Sequence, residues 1–213
     1  MLDIDAEMAH SAGEEEIKEG VPHFVTYRSN DVSIPDDFLT KDPYDARPIA
    51  VKPVEWTKVG LPQYEGRYAV ILDHVISPSE CETLLHLAEE SVPDADRGKS
   101  GTRFWRPAMV NAGGGFEVLE TSYRNSDRII WDCQEVVDRL WSRCKRAPGI
   151  EERLGVLDND VKVIGPLRKK QGRLLDQHWV FHKLNKRMRF LRYGPGQFFR
   201  RKYRKSTSLY PVC

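Results

Sequence analysis

Two histidines in the C-terminal third have a spacing that can hold a metal ion. His178 and His182 are four residues apart, and on a helix this spacing places two imidazole ligands on one face. The intervening Trp179, Val180 and Phe181 instead favour a strand, in which alternation puts both histidines on the same face as Val180. No third ligand accompanies them in the sequence, so we do not predict a metal site from this pair.

The cysteines are also candidates for chemistry, because thiolates bind zinc and form disulfides. Cys81, Cys133, Cys144 and Cys213 are scattered and form no CxxC pair. Cys133 and Cys144 fall on the apolar face of a predicted helix, where a packed thiol is more common than a catalytic one. We therefore predict buried free thiols.

The first elements that must position any site are a strand and a helix. The apolar, β-branched run Tyr68–Ile76 predicts a strand. In the SPSE that follows, Ser77 can cap a helix, Pro78 takes the first helical position and Glu80 completes a capping box. This helix is predicted to end at Val92-Pro93. Its apolar face is formed by Cys81, Leu84, Leu85 and Ala88.

A second helix and three further strands complete the predicted elements. The helix is predicted to start at Asp132 and to stop at Pro148-Gly149. Its apolar stripe consists of Cys133, Val136, Val137, Leu140, Trp141 and Cys144. Strands are predicted in Trp105–Asn111, Thr121–Trp131 and Trp179–Phe199, with turns at Gly113-Gly114-Gly115 and Gly194-Pro195-Gly196. This order predicts an α+β fold with helices on one side of a mostly antiparallel sheet.

Length and composition fit one domain with tails. The chain has 213 residues, of which 40% are hydrophobic and 31% charged, ordinary values for a globular protein. The first residues lack the basic region and apolar run of a secretory signal. No window approaches the roughly 18 consecutive apolar residues of a membrane helix. We expect a cytoplasmic or nuclear protein without membrane partners.

The two ends of the chain differ from its middle. Residues 1–60 contain Glu14-Glu15-Glu16 and several prolines without a sustained period, which predicts a largely irregular, solvated arm. From Lys162 onward, fifteen Lys and Arg residues face one acid, Asp176, giving a net charge of +14. The preceding 161 residues must therefore carry −13 for the chain to total +1.

One combination of segments is similar to a known family. The order of RYAVILDHVISPSECETLL, NSDRIIWD and RMRFLRYGPGQFF resembles the prolyl 4-hydroxylase α-subunit type of iron(II)/2-oxoglutarate dioxygenases, and most closely its fungal intracellular members. The resemblance covers residues 66–199, and Tyr193–Phe199 is its most specific part. It implies the N-terminal part of a double-stranded β-helix, or jelly-roll, with supporting helices. Residues 200–213 form a basic tail outside the family pattern.

The resemblance also implies where iron would bind. In the family, the strand that corresponds to Tyr193–Phe199 leads into a His-x-Asp motif. The histidine and aspartate of this motif are two of the three protein ligands of a facial triad, which leaves coordination positions on the iron for 2-oxoglutarate and oxygen. By the family's spacing these two positions fall at Lys202 and Arg204, cations that cannot ligate iron. The distal histidine and the base that anchors 2-oxoglutarate would lie beyond Cys213. We therefore expect an inactive, incomplete form, even if Lys202→His and Arg204→Asp were introduced.

Further expectations follow from the same resemblance. The family hydroxylates an unactivated C–H bond with Fe(II), 2-oxoglutarate and ascorbate, none of which we expect this chain to bind. Tyr193 matches a tyrosine of the 2-oxoglutarate pocket, although a packed strand aromatic is the favoured alternative, and Phe198 and Phe199 are expected in the core. The strand that contains Arg124 and Arg128 would lie near the cleft for a peptide or small-molecule substrate. Alternatively, both arginines could be solvated strand charges.

A nucleic-acid-binding module is the rival interpretation. The basic C-terminal third carries aromatic residues among its arginines, and binding would combine phosphate neutralisation with base stacking. No RNP, zinc or helix-turn-helix signature supports it, and steep weakening of binding with salt would distinguish it.

Under the dioxygenase interpretation, the Met188–Phe199 strand has an unpaired edge, and protease sensitivity is expected from about Trp179 onward.

Overall fold

A computed structural model describes residues 17–97, 104–157 and 179–200. These residues have a mixed α+β structure with few helices and several small antiparallel sheets. They group into two compact units. Of the described residues, the first unit contains 17–27, 97, 104–129 and 190–200, and the second contains 28–96, 130–157 and 179–189. Among the described helices, none combines the length and apolar character of a membrane span.

The described elements are short. The strands, in chain order, are β1 (Pro22–Phe24), β2 (Ala50–Pro53), β3 (Val70–Asp73), β4 (Arg106–Pro107), β5 (Val110–Gly113), β6 (Phe116–Val118), β7 (Arg124–Asn125), β8 (Asp127–Asp132), β9 (Val156–Leu157), β10 (Trp179–Val180), β11 (Arg187–Arg192) and β12 (Phe198–Phe199). The helices are α1 (Pro78–Glu90), α2 (Gln134–Lys145) and α3 (Ile150–Leu154), with short 3-10 turns at Pro62–Tyr64 and Asp94–Asp96.

Helix α1, in the second unit, begins as its sequence predicts. The Ser77 hydroxyl accepts a hydrogen bond from the Glu80 amide at 3.2 Å, and the Glu80 carboxylate accepts one from the Ser77 amide at 2.9 Å. This reciprocal capping box satisfies two amides that the helix itself cannot pair. Leu87 and Ala88 are buried on the inner face of the helix. The helix ends at Glu90, close to the predicted stop.

Helix α2 starts later than predicted. Its N-cap is Cys133, whose side chain makes no capping hydrogen bond, and Asp132 belongs to β8 instead. Val136 and Val137 are buried as the apolar stripe predicts. The helix ends at Lys145, and after Gly149, whose φ of +77° is left-handed, the unpredicted helix α3 begins with buried Ile150.

The thiols of the described residues are free. Cys81, Cys133 and Cys144 form no disulfide, as predicted, but each is partly exposed rather than buried. Partial burial raises the pKa of the Cys81 and Cys144 thiols above the ordinary value, so both stay protonated near neutral pH. Cys213 lies outside the described residues.

Two small sheets complete the second unit. Strands β2 and β3 pair antiparallel with Val51 opposite Leu72, and β9 pairs antiparallel with β10. The predicted strand over 68–76 is shortened to β3, because His74 has a φ of +64° that ends the extended backbone. Strand β2 and the buried residues Phe38 and Leu39 lie within 1–60. This part of the predicted arm therefore packs into the fold instead of being solvated.

The first unit contains a three-stranded sheet in the order β1-β6-β5. Strands β5 and β6 form an antiparallel hairpin through the predicted glycine turn, in which Gly113, Gly114 and Gly115 all have positive φ. A Cβ at Gly115 would lie 2.7 Å from the Phe24 ring of β1, so the strand approach itself requires glycine there. Strands β1 and β6 were not predicted.

Two further pairings involve the late strands. One sheet has the order β11-β8-β4, and a second pairs β12 with β7. Arg106 and Pro107 of β4 pair antiparallel with Arg128 and Asp127 of β8. The expected single sheet is thus replaced by five sheets of two or three strands in the described part of the chain.

Candidate functional site

The segment Tyr193–Phe199 forms a turn followed by strand β12. Gly196 has a φ of +76°, and the Gln197 amide donates to the Gly194 carbonyl oxygen at 3.0 Å. The Gln197 side chain then accepts from the Gly194 amide at 2.6 Å. The predicted turn is confirmed, and Gln197 closes it from both its backbone and its side chain.

Strand β12 is held against β7. Phe198 and Phe199 pair antiparallel with Asn125 and Arg124, and the Arg200 amide donates to the Tyr123 carbonyl oxygen at 2.9 Å. The Phe199 ring meets the Tyr123 ring edge to face, with centroids 5.5 Å apart. These contacts fix the end of the segment on which the family resemblance depends.

The aromatic residues of this segment are not in the core. Tyr193 is 44% exposed, Phe198 39% and Phe199 49%. The expectation that Phe198 and Phe199 are core residues is therefore wrong, and Tyr193 does not fit the packed alternative either. Because the two-residue strand β12 pairs only with the two-residue β7 among described strands, little neighbouring structure covers these rings. The role of Tyr193 in a 2-oxoglutarate pocket stays a prediction.

Arg124 and Arg128 have different surroundings. The Arg124 guanidinium lies 5.0 Å from the centre of the Phe199 ring and its Nε donates to the Ser126 hydroxyl at 3.4 Å. Arg128 is 9% exposed and lies 2.6 Å from Glu117, which is 8% exposed. The alternative that both arginines are solvated strand charges is thus wrong for Arg128.

A tyrosine completes the buried pair of Arg128 and Glu117. The Tyr27 hydroxyl donates to Glu117 Oε2 at 2.5 Å and accepts a short hydrogen bond from Arg128. The Arg128 guanidinium also lies 5.2 Å from the centre of the Tyr27 ring. Each charged group therefore has an internal partner, as buried charges require. In this arrangement Arg128 stabilises the first unit and is not a free anchor for a carboxylate ligand.

Arginines of the basic C-terminal third bind acids from earlier in the chain. In the second unit, Arg187 donates to both oxygens of Asp132 at 2.7 Å. In the first unit, Arg192 donates to Asp127 at 2.9 Å and lies 4.8 Å from the centre of the Trp105 ring. The hydrogen bonds from Arg187 lower the pKa of Asp132 below its ordinary value, against an opposing effect of desolvation. The charge asymmetry seen in the sequence is thus partly neutralised within the fold.

Three of the four residues considered above for metal binding lie outside the described residues. His178, Lys202 and Arg204 lie outside the described residues, whereas His182 is described and exposed. Within residues 17–97, 104–157 and 179–200, no group of three His, Cys, Asp or Glu side chains is placed to hold a metal ion.

The second unit contains a buried ion pair that sequence reasoning missed. Arg143 of α2 donates to both carboxylate oxygens of Glu80, at 2.8 and 2.6 Å, and these side chains are 5% and 7% exposed. Arg143 also donates to the carbonyl oxygens of Leu39, Val75 and Lys41. A signal was present in the sequence, because Arg143 lies seven residues after Val136 and thus falls on the apolar face of the helix.

A scan against protein-family models and searches of curated proteins and of solved structures find no match to this chain.

Proposed function

We propose that this chain is a prolyl 4-hydroxylase-like relative of the iron(II)/2-oxoglutarate dioxygenases that does not carry out their iron chemistry in the present form. The observation that carries the proposal is the segment Tyr193–Phe199. Its GPG turn leads into strand β12, in which Phe198 pairs with Asn125, the first residue of the family-like segment NSDRIIWD. Two segments quoted for the resemblance, far apart in sequence, are therefore neighbours.

The preceding helix supports the same lineage. The family-like segment RYAVILDHVISPSECETLL contributes β3 and α1 with its complete capping box. We infer that β4, β7, β8, β11 and β12 correspond to the first strands of a jelly-roll. Exposed apolar residues on the late strands are compatible with that inference, because a jelly-roll buries such residues under a second sheet.

The residues at the family's iron positions do not fit iron. Lys202 and Arg204 are cations, and neither a protonated amine nor a guanidinium offers a lone pair to Fe(II). A positive charge at both positions would also repel the metal. We therefore derive no catalytic step for this chain and assign it no iron-dependent hydroxylation.

The contacts of the basic segment favour this proposal over nucleic-acid binding. Arg187 and Arg192 already donate to carboxylates of Asp132 and Asp127. A phosphate would have to compete with these internal partners for the same donors. The remaining cations among the described residues carry no recognisable nucleic-acid-binding motif.

Metal binding by a variant with ligand residues at the family's iron positions tests the proposal. Lys202→His with Arg204→Asp restores a His-x-Asp pair at the family positions, and Mn(II) can replace Fe(II) in an equilibrium titration followed by electron paramagnetic resonance. We expect no specific Mn(II) binding by the unmodified chain and clearly tighter binding by the double variant, because the two new groups are ordinary metal ligands.

A control variant separates register from charge. Arg200→His with Lys202→Asp changes the net charge by the same amount and adds the same two ligand types two residues earlier, out of the family's register. This control should gain little Mn(II) affinity. An equal gain in both variants would mean that any His-x-Asp pair in this basic segment attracts the metal, and it would remove the support for the family register.

A further inference from the structure

A groove in the second unit carries polar groups that the proposed function does not use. A cavity of about 420 Å³ lies between the segment 42–49, the turn after β3 and the end of α2. An adjoining cavity of about 250 Å³ shares Arg47, His74 and Ser77 with it. Because the two cavities share these three lining residues, we treat them as one site, which we name the Arg47 groove and define by Asp42, Arg47, His74 and Arg146.

Among the described residues, Arg47 has no hydrogen-bond or ion-pair partner, unlike the other arginines that line this groove. It is exposed. An arginine in a concave site with its five N–H donors free is suited to bidentate recognition of a carboxylate or phosphate. The nearby Asp45 does not occupy it, because this carboxylate accepts from the Ser79 amide and hydroxyl at 3.0 and 2.8 Å.

A second arginine lies in the same groove. Arg146 donates to both oxygens of Asp42, at 2.7 and 2.6 Å, and both side chains are about half exposed. The pair leaves Arg146 Nε free among the described residues and keeps its guanidinium oriented. By contrast, the guanidinium of Arg143 donates to Glu80 and to three carbonyl oxygens. Arg143 therefore lines the groove without offering a binding group.

The backbone at His74 is unusual for a residue other than glycine. Among the described residues only His74 and Leu39 have positive φ without being glycine, at +64° and +61°. Histidine tolerates this region better than most side chains, and strained positions of this kind cluster at binding sites. The conformation ends β3 and places the exposed imidazole residue at the junction of the two cavities.

The remaining wall of the groove is apolar. Pro43, Pro48, Ile49 and Val75 line the larger cavity together with the polar residues. A volume of about 420 Å³ falls within the range typical of small-molecule sites, which combine apolar walls with a few convergent polar groups. The groove therefore matches a ligand that combines an anionic group with an apolar body.

We propose that the Arg47 groove binds a small organic anion. The phosphate or carboxylate group of the ligand contacts Arg47, with Arg146 and His74 as additional donors. The apolar body of the ligand lies against the two prolines and Ile49. This site is independent of the dioxygenase lineage, because it uses none of the residues of the segment Tyr193–Phe199.

Three probes that share one apolar body test the chemistry. The full chain is titrated with phenyl phosphate, benzoate and phenol, and binding is followed by the ¹H–¹⁵N amide spectrum. We expect saturable shifts in residues 42–49 and 74–77 with one or both anions and none with phenol. Comparison of phenyl phosphate with benzoate distinguishes a phosphate ligand from a carboxylate ligand.

Matched charge variants test the residues. Arg47→Gln should weaken binding of the anion about tenfold, the loss expected for one charge-assisted hydrogen bond. Arg28→Gln is the control, because Arg28 is also an exposed arginine of the same unit and does not line the groove. Both side chains are exposed, so the folded spectrum should persist in each variant. Absence of saturable binding by both anions, equal binding of phenol, or equal weakening by Arg28→Gln would overturn the proposal.

Discussion

Arg143→Met should strongly destabilise the second unit. The substitution leaves the Glu80 carboxylate, 7% exposed, without the guanidinium that donates to both of its oxygens. Removing one partner of a buried ion pair costs about 3–5 kcal/mol, mostly because the remaining charge is left uncompensated. Three carbonyl oxygens, those of Leu39, Lys41 and Val75, also lose a donor. We therefore expect a loss of at least about 3 kcal/mol in the free energy of unfolding.

Urea denaturation followed by tryptophan fluorescence and circular dichroism measures this loss. Glu80→Gln is the milder companion, since the amide keeps an oxygen for the Ser77 N–H but presents an N–H group to Arg143; we expect a loss of about 1–3 kcal/mol. Glu82→Gln, at an exposed position of the same helix, should change stability by less than about 0.5 kcal/mol. If Arg143→Met and Glu80→Gln both resemble this control, the buried pair does not hold α2 to α1.

Three further predictions concern the described residues. Because Arg187 holds the pKa of Asp132 below its ordinary value, this pair stabilises the fold above about pH 4 and the stabilisation is lost as the pH falls further. Asp132→Asn should therefore lower the urea midpoint at neutral pH, and this loss should shrink as the pH falls below about 4; a loss that stays the same at every pH would contradict this. Glu117→Gln should cost about 1–3 kcal/mol, because Arg128 loses its buried carboxylate; an unchanged urea midpoint would contradict it. Limited proteolysis should cut first within residues 179–200, where apolar side chains are exposed, and protection of that range with earlier cleavage elsewhere would refute it.

Local sequence signals predicted the start of α1 and the buried face of α2, because the determinants of these features are local. Ser77 and Glu80 are three residues apart and satisfy each other's amides, so the start of α1 can be predicted without knowledge of the fold. The apolar spacing around Val136 and Val137 likewise predicted the buried face of α2. The glycine turn at 113–115 was predictable because positive φ strongly favours that residue type.

The short strands and the polar clusters could not be predicted in the same way. Strand β1 is three residues long and pairs with β6, more than ninety residues later, so its existence depends on a partner that no local pattern specifies. Tyr27, which pairs with Arg128, and Glu80, which pairs with Arg143, are likewise distant in sequence, by 101 and 63 residues. A charged residue on an apolar face signals that such a partner exists, but it does not identify the partner.

The groove around Arg47 was missed for a related reason. It combines a proline-containing segment, which was predicted to be an irregular arm, with the turn at His74 and the end of α2. None of these segments carries a recognisable binding motif by itself. Only the packing of residues 38–49 against the rest of the second unit brings the polar groups together.

Succinate formation tests the central claim most directly. The full chain is incubated with Fe(II), ascorbate and isotopically labelled 2-oxoglutarate, and labelled succinate is measured against a reaction without protein. Because the proposed family register places Lys202 and Arg204 at the first two iron positions, we predict no succinate above the protein-free reaction. Repeated turnover by the unmodified chain, abolished by a chelator of Fe(II), would show that iron binds through other residues and would contradict the account.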